Sequence, residues 1–118
     1  MRQDESVSGT LIRRSDLPVA GIVALDVVIA GEKEAIIVNC ENAALTAWIN
    51  ACPHQGRRLD YAPGKFLIDK GQLVCAAHGA TFRLADGECV AGPCRGEHLT
   101  EVPVWVGDDG VIEFGPLL

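Results

Sequence analysis

The chain of 118 residues is poor in aromatic side chains: two Trp, one Tyr and three Phe leave a core that has to be built from Val, Ile, Leu and Ala. An aliphatic core of this length stabilises one domain of modest size, to which a bound metal centre would add. Positive charge is scarce as well. Ten basic residues against sixteen acidic ones give a net charge of -6, which removes the basic face that phosphates require and argues against nucleic acid as a partner. Long apolar runs are missing. The strongest candidate, Leu17 to Ala30, is interrupted by Pro18, Gly21 and Asp26 and follows acidic residues, so it is expected to be a scaffold strand, with no membrane partner. With no export signal, a reducing cytoplasm is the expected location, where five cysteines, an odd number, are expected as metal ligands or free thiols.

What is present is a series of short β-type runs separated by turn residues. Strands are expected over Gly9 to Arg14, Val23 to Ile29, Ala35 to Cys40 and Leu45 to Asn50. Phe66 to Ile68 and Gln72 to Val74 flank the turn Asp69, Lys70, Gly71. Thr81 to Leu84 and Glu88 to Val90 flank Ala85, Asp86, Gly87, where Asp-Gly is a hairpin signal. Leu99 to Val106 and Val111 to Phe114 form a last pair. No stretch has sustained helical periodicity, and the expected fold class is all-β.

Two stretches carry the chemistry: Cys52, Pro53, His54, Gln55, Gly56, and Cys75, Ala76, Ala77, His78, Gly79. Each places one thiol and one imidazole beside a glycine that allows a tight backbone reversal. Twenty residues separate His54 from Cys75, enough for the chain to run out and back so that both loops meet at one metal site. Zinc accepts four such donors, and Cys75 and His78 have the usual zinc spacing. Cys52 and His54, with Pro53 alone between them, are better suited to two different atoms, as in a two-iron cluster with both cysteines on one iron and both histidines on the other.

The two stretches, read as C-x-H and C-x-x-H, resemble the signature of Rieske proteins, whose [2Fe-2S] cluster carries two histidines on one iron. The resemblance extends to Phe82, to the turn at Asp86 and Gly87, and to Gly92 and Pro93, which are similar to the family's proline loop over the cluster. It implies three antiparallel β-sheets in a single domain over residues 1–118, with a small cluster-binding subdomain at roughly 51–95. It also implies one [2Fe-2S] cluster held by Cys52, His54, Cys75 and His78. High-potential members add a cysteine to each loop and hydroxyl donors from Ser and Tyr. The corresponding positions here are Arg57, Ala77, Ala80 and Phe82, so the expected potential is nearer about -150 mV than about +300 mV.

This pattern implies a soluble electron carrier rather than an enzyme. A Gly-rich nucleotide fingerprint is absent, and three histidines with two committed leave no 2-His-1-carboxylate site. The expected partners are a flavoprotein reductase as donor and an oxygenase or similar redox enzyme as acceptor. The spacer between the loops is longer than the resemblance suggests for an oxygenase ferredoxin. A small subunit of a larger oxidoreductase of nitrite-reductase type, or a redox sensor, are the alternatives. Of the other cysteines, Cys40 is expected in the core. Cys89 and Cys94 are expected as free thiols flanking the proline loop, with a regulatory disulfide as the alternative. His98 is expected at the surface. Arg57 and Arg58 are expected either to steer an acidic partner or to solvate the first loop.

Overall fold

Aliphatic residues alternate between two faces along the first half of the chain, and that alternation sets the architecture. The computed structural model describes residues 12–41, 44–53, 56–75 and 79–115. Strands β1 (Ala20–Ile29) and β2 (Glu32–Glu41) pair antiparallel along their whole length, followed by β3 (Ala44–Ile49). Ala30 and Gly31 join β1 to β2 with φ of 53° and 84°, the pair of left-handed residues that a tight hairpin turn needs to match strand twist.

In the scaffold sheet one face carries Val27, Ile29, Ile36, Val38 and Ala47 into one buried cluster. The opposite face sends Ile37 and Trp48 into a second. Ile37 lies opposite Trp48, and Val38 opposite Ala47, so the period of two assigns each residue to its side. This sheet is the wall between two cores.

The first face is covered by strands β9 (Val104–Val106) and β10 (Ile112–Phe114), a two-stranded sheet from which Val104 and Phe114 pack inward. The expected strand over Leu99 to Val106 is split. Its first part, β8 (Glu101–Val102), pairs with β3, and the chain changes sheets at Pro103, which lacks the N–H a ladder would use. The second face is covered by a four-stranded sheet of β4 (Leu67–Asp69), β5 (Gln72–Val74), β6 (Thr81–Arg83) and β7 (Cys89–Ala91), joined in sequence order. All three sheets are antiparallel, as the resemblance implied. Of the expected first strand, residues 9–11 lie outside the described residues. Arg13 forms a single bridge to Val111, and Arg14–Asp16 is a 3-10 turn.

The Asp-Gly turn after β6 is where the third sheet meets the scaffold. Arg83 donates to both carboxylate oxygens of Asp86, at 3.1 and 2.7 Å. Gly87 follows with φ of 76°, and a Cβ there would lie 2.7 Å from Trp48 Nε1. Gly87→Ala therefore meets both backbone strain and a clash with the largest buried ring, and should destabilise the fold by about 2–3 kcal/mol. Denaturant unfolding followed by tryptophan fluorescence checks this; an unchanged midpoint would contradict it.

Candidate metal centre

The two cysteine loops close on the same hydrogen-bond plan. Cys52 N–H donates to the Arg57 carbonyl at 2.7 Å, and Gly56 N–H donates to the Cys52 carbonyl at 2.7 Å. Cys75 N–H donates to the Ala80 carbonyl at 2.7 Å, and Gly79 N–H donates to the Cys75 carbonyl at 2.8 Å. Gly56 and Gly79 share a φ of 74°, the left-handed conformation that lets each chain turn back within five residues. Both loops are therefore rigid at their base. His54 and His78, with Gln55, Ala76 and Ala77, lie outside the described residues.

Different elements carry the two cysteines into one place. Cys75 follows β5, whereas Cys52 lies just beyond β3. Both belong to the buried cluster that includes Trp48, Leu59, Leu73 and Phe82, with Cys52 1% and Cys75 0% exposed. Phe82 contributes a closed apolar wall with no hydroxyl. None of the five cysteines is disulfide-bonded. Two reduced thiols in a dry pocket on stiff loops suit a group that takes two thiolates and is kept from water.

A polar network that sequence reasoning missed anchors the first loop. Asn50 Oδ1 accepts the Leu59 N–H at 2.7 Å, and Asn50 Nδ2 donates to Asp60 Oδ1 at 3.1 Å. Arg58 donates to both Asp60 oxygens at 2.9 Å, and Gly64 N–H donates to Asp60 Oδ2 at 3.1 Å. This network joins the two stems of the loop, so Arg58 is a structural partner of Asp60. The signal was present in the sequence: Asn50 is the polar end of an apolar strand, the position from which a side chain can satisfy loop backbone.

The third segment at the site is the loop after β7. Gly92, with φ of 99°, is packed so closely on the second cysteine loop that a Cβ would lie 2.7 Å from Ala80 Cα and 3.2 Å from the Gly79 carbonyl oxygen. Cys89 and Cys94, at the two ends of this loop, approach to 3.0 Å between sulfurs, and the Cys89 thiol donates to the Ala91 carbonyl at 3.1 Å. Burial pushes the Cys94 thiol up to about 12, assisted by its hydrogen bond to Cys89, so this sulfur keeps its proton. Cys40 lies in the other core at 1% exposure, as expected, and burial raises its thiol too. His98 is exposed, as expected, and its backbone bridges to Glu88.

The hydrogen bonds from Arg58, with those from Gly64 and Asn50, hold the Asp60 carboxyl at about 2, below its ordinary value of 3.8. A depressed carboxyl stabilises the fold above its unfolded pKa, and the contribution fades as pH falls through the folded value. The Asp60 contribution, about 2 kcal/mol, should thus be intact at neutral pH and lost between about pH 4 and pH 2. Asp60→Ala, which takes the acceptor from Asn50 Nδ2 and the Gly64 N–H, should cost about 2–3 kcal/mol at pH 7 and flatten the acid limb of the stability curve. Denaturant titrations from neutral to acid pH check both; equal acid sensitivity in the variant would contradict the assignment.

No match is found among curated proteins. Among solved structures, the chain is similar to the ferredoxin of carbazole 1,9a-dioxygenase from Nocardioides aromaticivorans IC177, with 24% identity and a TM-score of 0.64 over 92% of this chain and 99% of that one. It is also similar to part of the terminal oxygenase of carbazole 1,9a-dioxygenase from Novosphingobium sp. KA1. There the identity is 21% and the TM-score 0.70, over 92% of this chain and 29% of that one. A third likeness, with 21% identity and a TM-score of 0.64, covers 92% of this chain and 93% of a chain in a complex of reduced oxygenase and oxidised ferredoxin in carbazole 1,9a-dioxygenase. At these identities the structures share a fold, and the family comes from the sequence itself: the family model for the Rieske [2Fe-2S] domain matches residues 10–106, and the chain belongs to that family.

Proposed function

We propose that this chain is a one-electron carrier whose [2Fe-2S] cluster has Cys52 and Cys75 on one iron and His54 and His78 on the other. The observation that carries the reading is the matched closure of two loops that bury two reduced cysteines in one dry cluster. When bound, the cluster supplies a one-electron couple, with a potential that mixed His and Cys ligation raises above that of an all-cysteine centre.

The chain's own residues do the rest. The ring of hydrogen bonds at each loop base holds the cysteine backbones in place, which limits the reorganisation that accompanies electron transfer. Leu59, Leu73 and Phe82 exclude water from the sulfurs. Asn50 and Asp60 hold the stems of the first loop, and Gly92 lets the covering loop lie on the second.

In this reading a flavoprotein reductase donates the electron and an oxygenase, or a similar redox enzyme, accepts it, while the chain itself turns over no substrate. Support comes from the likeness to the carbazole dioxygenase ferredoxin, 99% of which this chain covers. A second reading, an electron-transfer domain within a larger oxidoreductase, is supported by the likeness to 29% of a terminal oxygenase chain. Reversible cycling by a reductase favours the first; stable co-purification with a large catalytic subunit favours the second. Among the described residues no helix is long and apolar enough to cross a membrane.

The test is electron paramagnetic resonance of the dithionite-reduced protein. A rhombic signal with an average g below that of an all-cysteine cluster is expected, together with a midpoint nearer about -150 mV than about +300 mV. Cys52→Ser and Cys75→Ser should each abolish the signal or lose the iron. A colourless protein that binds zinc at the same four residues would overturn the proposal.

A further inference from the structure

A cleft of about 410 Å³ lies between the scaffold sheet and the third sheet, and the function proposed above does not use it. Ile22 of β1 and Asn39 and Glu41 of β2 line one side, and Phe66, Ile68 and Leu84 line the other. β2 meets the metal centre near its start, where the Ala35 carbonyl accepts the Asn50 N–H at 2.8 Å. Asn39 and Glu41 belong to its far end. Neither Cys52 nor Cys75 lines the cleft, so it is a separate feature of the fold.

Asn39 is what an ordinary core does not explain. It lies directly opposite Ile22 in the ladder between β1 and β2, and the period of two puts it on the face of Ile37, which enters the metal-side core. Its carboxamide therefore points toward the third sheet. Asn39 is 4% exposed, and among the described residues its side chain has no hydrogen-bond partner. The other buried carboxamide is fully engaged: Asn50, 3% exposed, donates to Asp60 and accepts from the Leu59 N–H. A carboxamide carries two N–H donors and a carbonyl acceptor, and burying it with none of them paired costs stability. A group kept at that cost calls for a partner that the described residues do not supply.

The walls of the cleft define that partner. Ile22, Phe66 and Leu84 are only partly buried against the metal-side core, and Ile68 is 44% exposed, so apolar side chains surround one amide. The volume falls in the range of small-molecule sites, which are mostly apolar with a few polar groups that fix orientation. Phe66 offers a ring against which an aromatic body can pack. Glu41 is exposed, and its carboxylate at the cleft disfavours an anion. We infer that this cleft binds a small aromatic amide, neutral or cationic, whose carboxamide exchanges a donor and an acceptor with that of Asn39. The inference stands apart from the cluster assignment and does not depend on it.

The experiment titrates benzamide into the isotope-labelled full chain and follows its nuclear magnetic resonance signals. Saturable shifts are expected at the Asn39 side-chain NH2 and at the backbone amides of Ile68 and Leu84. Benzoate, which has the same ring and a negative charge, should bind about tenfold more weakly or less. Asn39→Val, a residue suited to a strand, should abolish the benzamide shifts and raise the denaturant midpoint, because it removes an unpaired buried amide. That pairing of lost binding with gained stability is the signature of a site rather than of a structural asparagine. Absence of saturable shifts in the wild-type chain overturns the inference without any substitution. Equal binding of benzoate, undiminished binding in Asn39→Val, or a lowered midpoint in that variant overturns it as well.

Discussion

Closure of two short loops by their own backbone is the constraint on which the rest of the structure depends. A cysteine offers its sulfur to a metal usefully only if the backbone behind it cannot drift. Here each cysteine has both its N–H and its carbonyl engaged within its own loop. The glycine that permits this, at position 56 or 79, adopts a conformation costly for residues with a Cβ. Side-chain packing then adds to these bonds, since both cysteines lie in one buried cluster with Leu59, Leu73 and Phe82.

The three sheets bring those closed loops together. β2 and β3 carry residues of opposite destiny in alternation, Ile37 and Trp48 to the metal side, Ile36, Val38 and Ala47 to the scaffold side. One sheet thus serves as floor to the cluster-binding part and as half of a separate hydrophobic core. The division separates stability from chemistry. The scaffold core contains one cysteine, Cys40, whereas the other four crowd into the metal-side cluster. Polar anchoring concentrates at the first loop, where Asn50 and Asp60 are both nearly inaccessible to solvent. The second loop instead leans on the covering loop through Gly92.

Much of the fold was legible because strands announce themselves locally. The runs around β1, β2, β3 and β5 were placed to within a few residues from β-branched and aliphatic content, and the turns at Lys70-Gly71 and Asp86-Gly87 from their residue types. The split between β8 and β9 was harder. Pro103 forbids a ladder bond at one position, but only the competition between two partner strands decides that the chain leaves one sheet for another there. The network around Asp60 was legible only at Asn50, the polar end of an apolar strand; Arg58 and Asp60 look like ordinary polar residues until the loop brings strand end and loop stem together.

The sequence by itself determined the family: the chain matches the Rieske [2Fe-2S] domain over residues 10–106, and its four soft donors stand one residue apart in one loop and two apart in the other. Ligand identity and spacing are local properties of the chain, readable without knowing where it goes. Tertiary structure alone decided the surroundings of Cys52. Cys89 and Cys94 lie far along the chain from it, and nothing in their spacing said whether they would bond to one another, face solvent or stand against a ligand. Packing of the metal-side core placed them 3.0 Å apart as reduced thiols, in the same buried cluster as Cys52. Proximity between residues distant in sequence follows from how the sheets stack, which no local property of the chain reports.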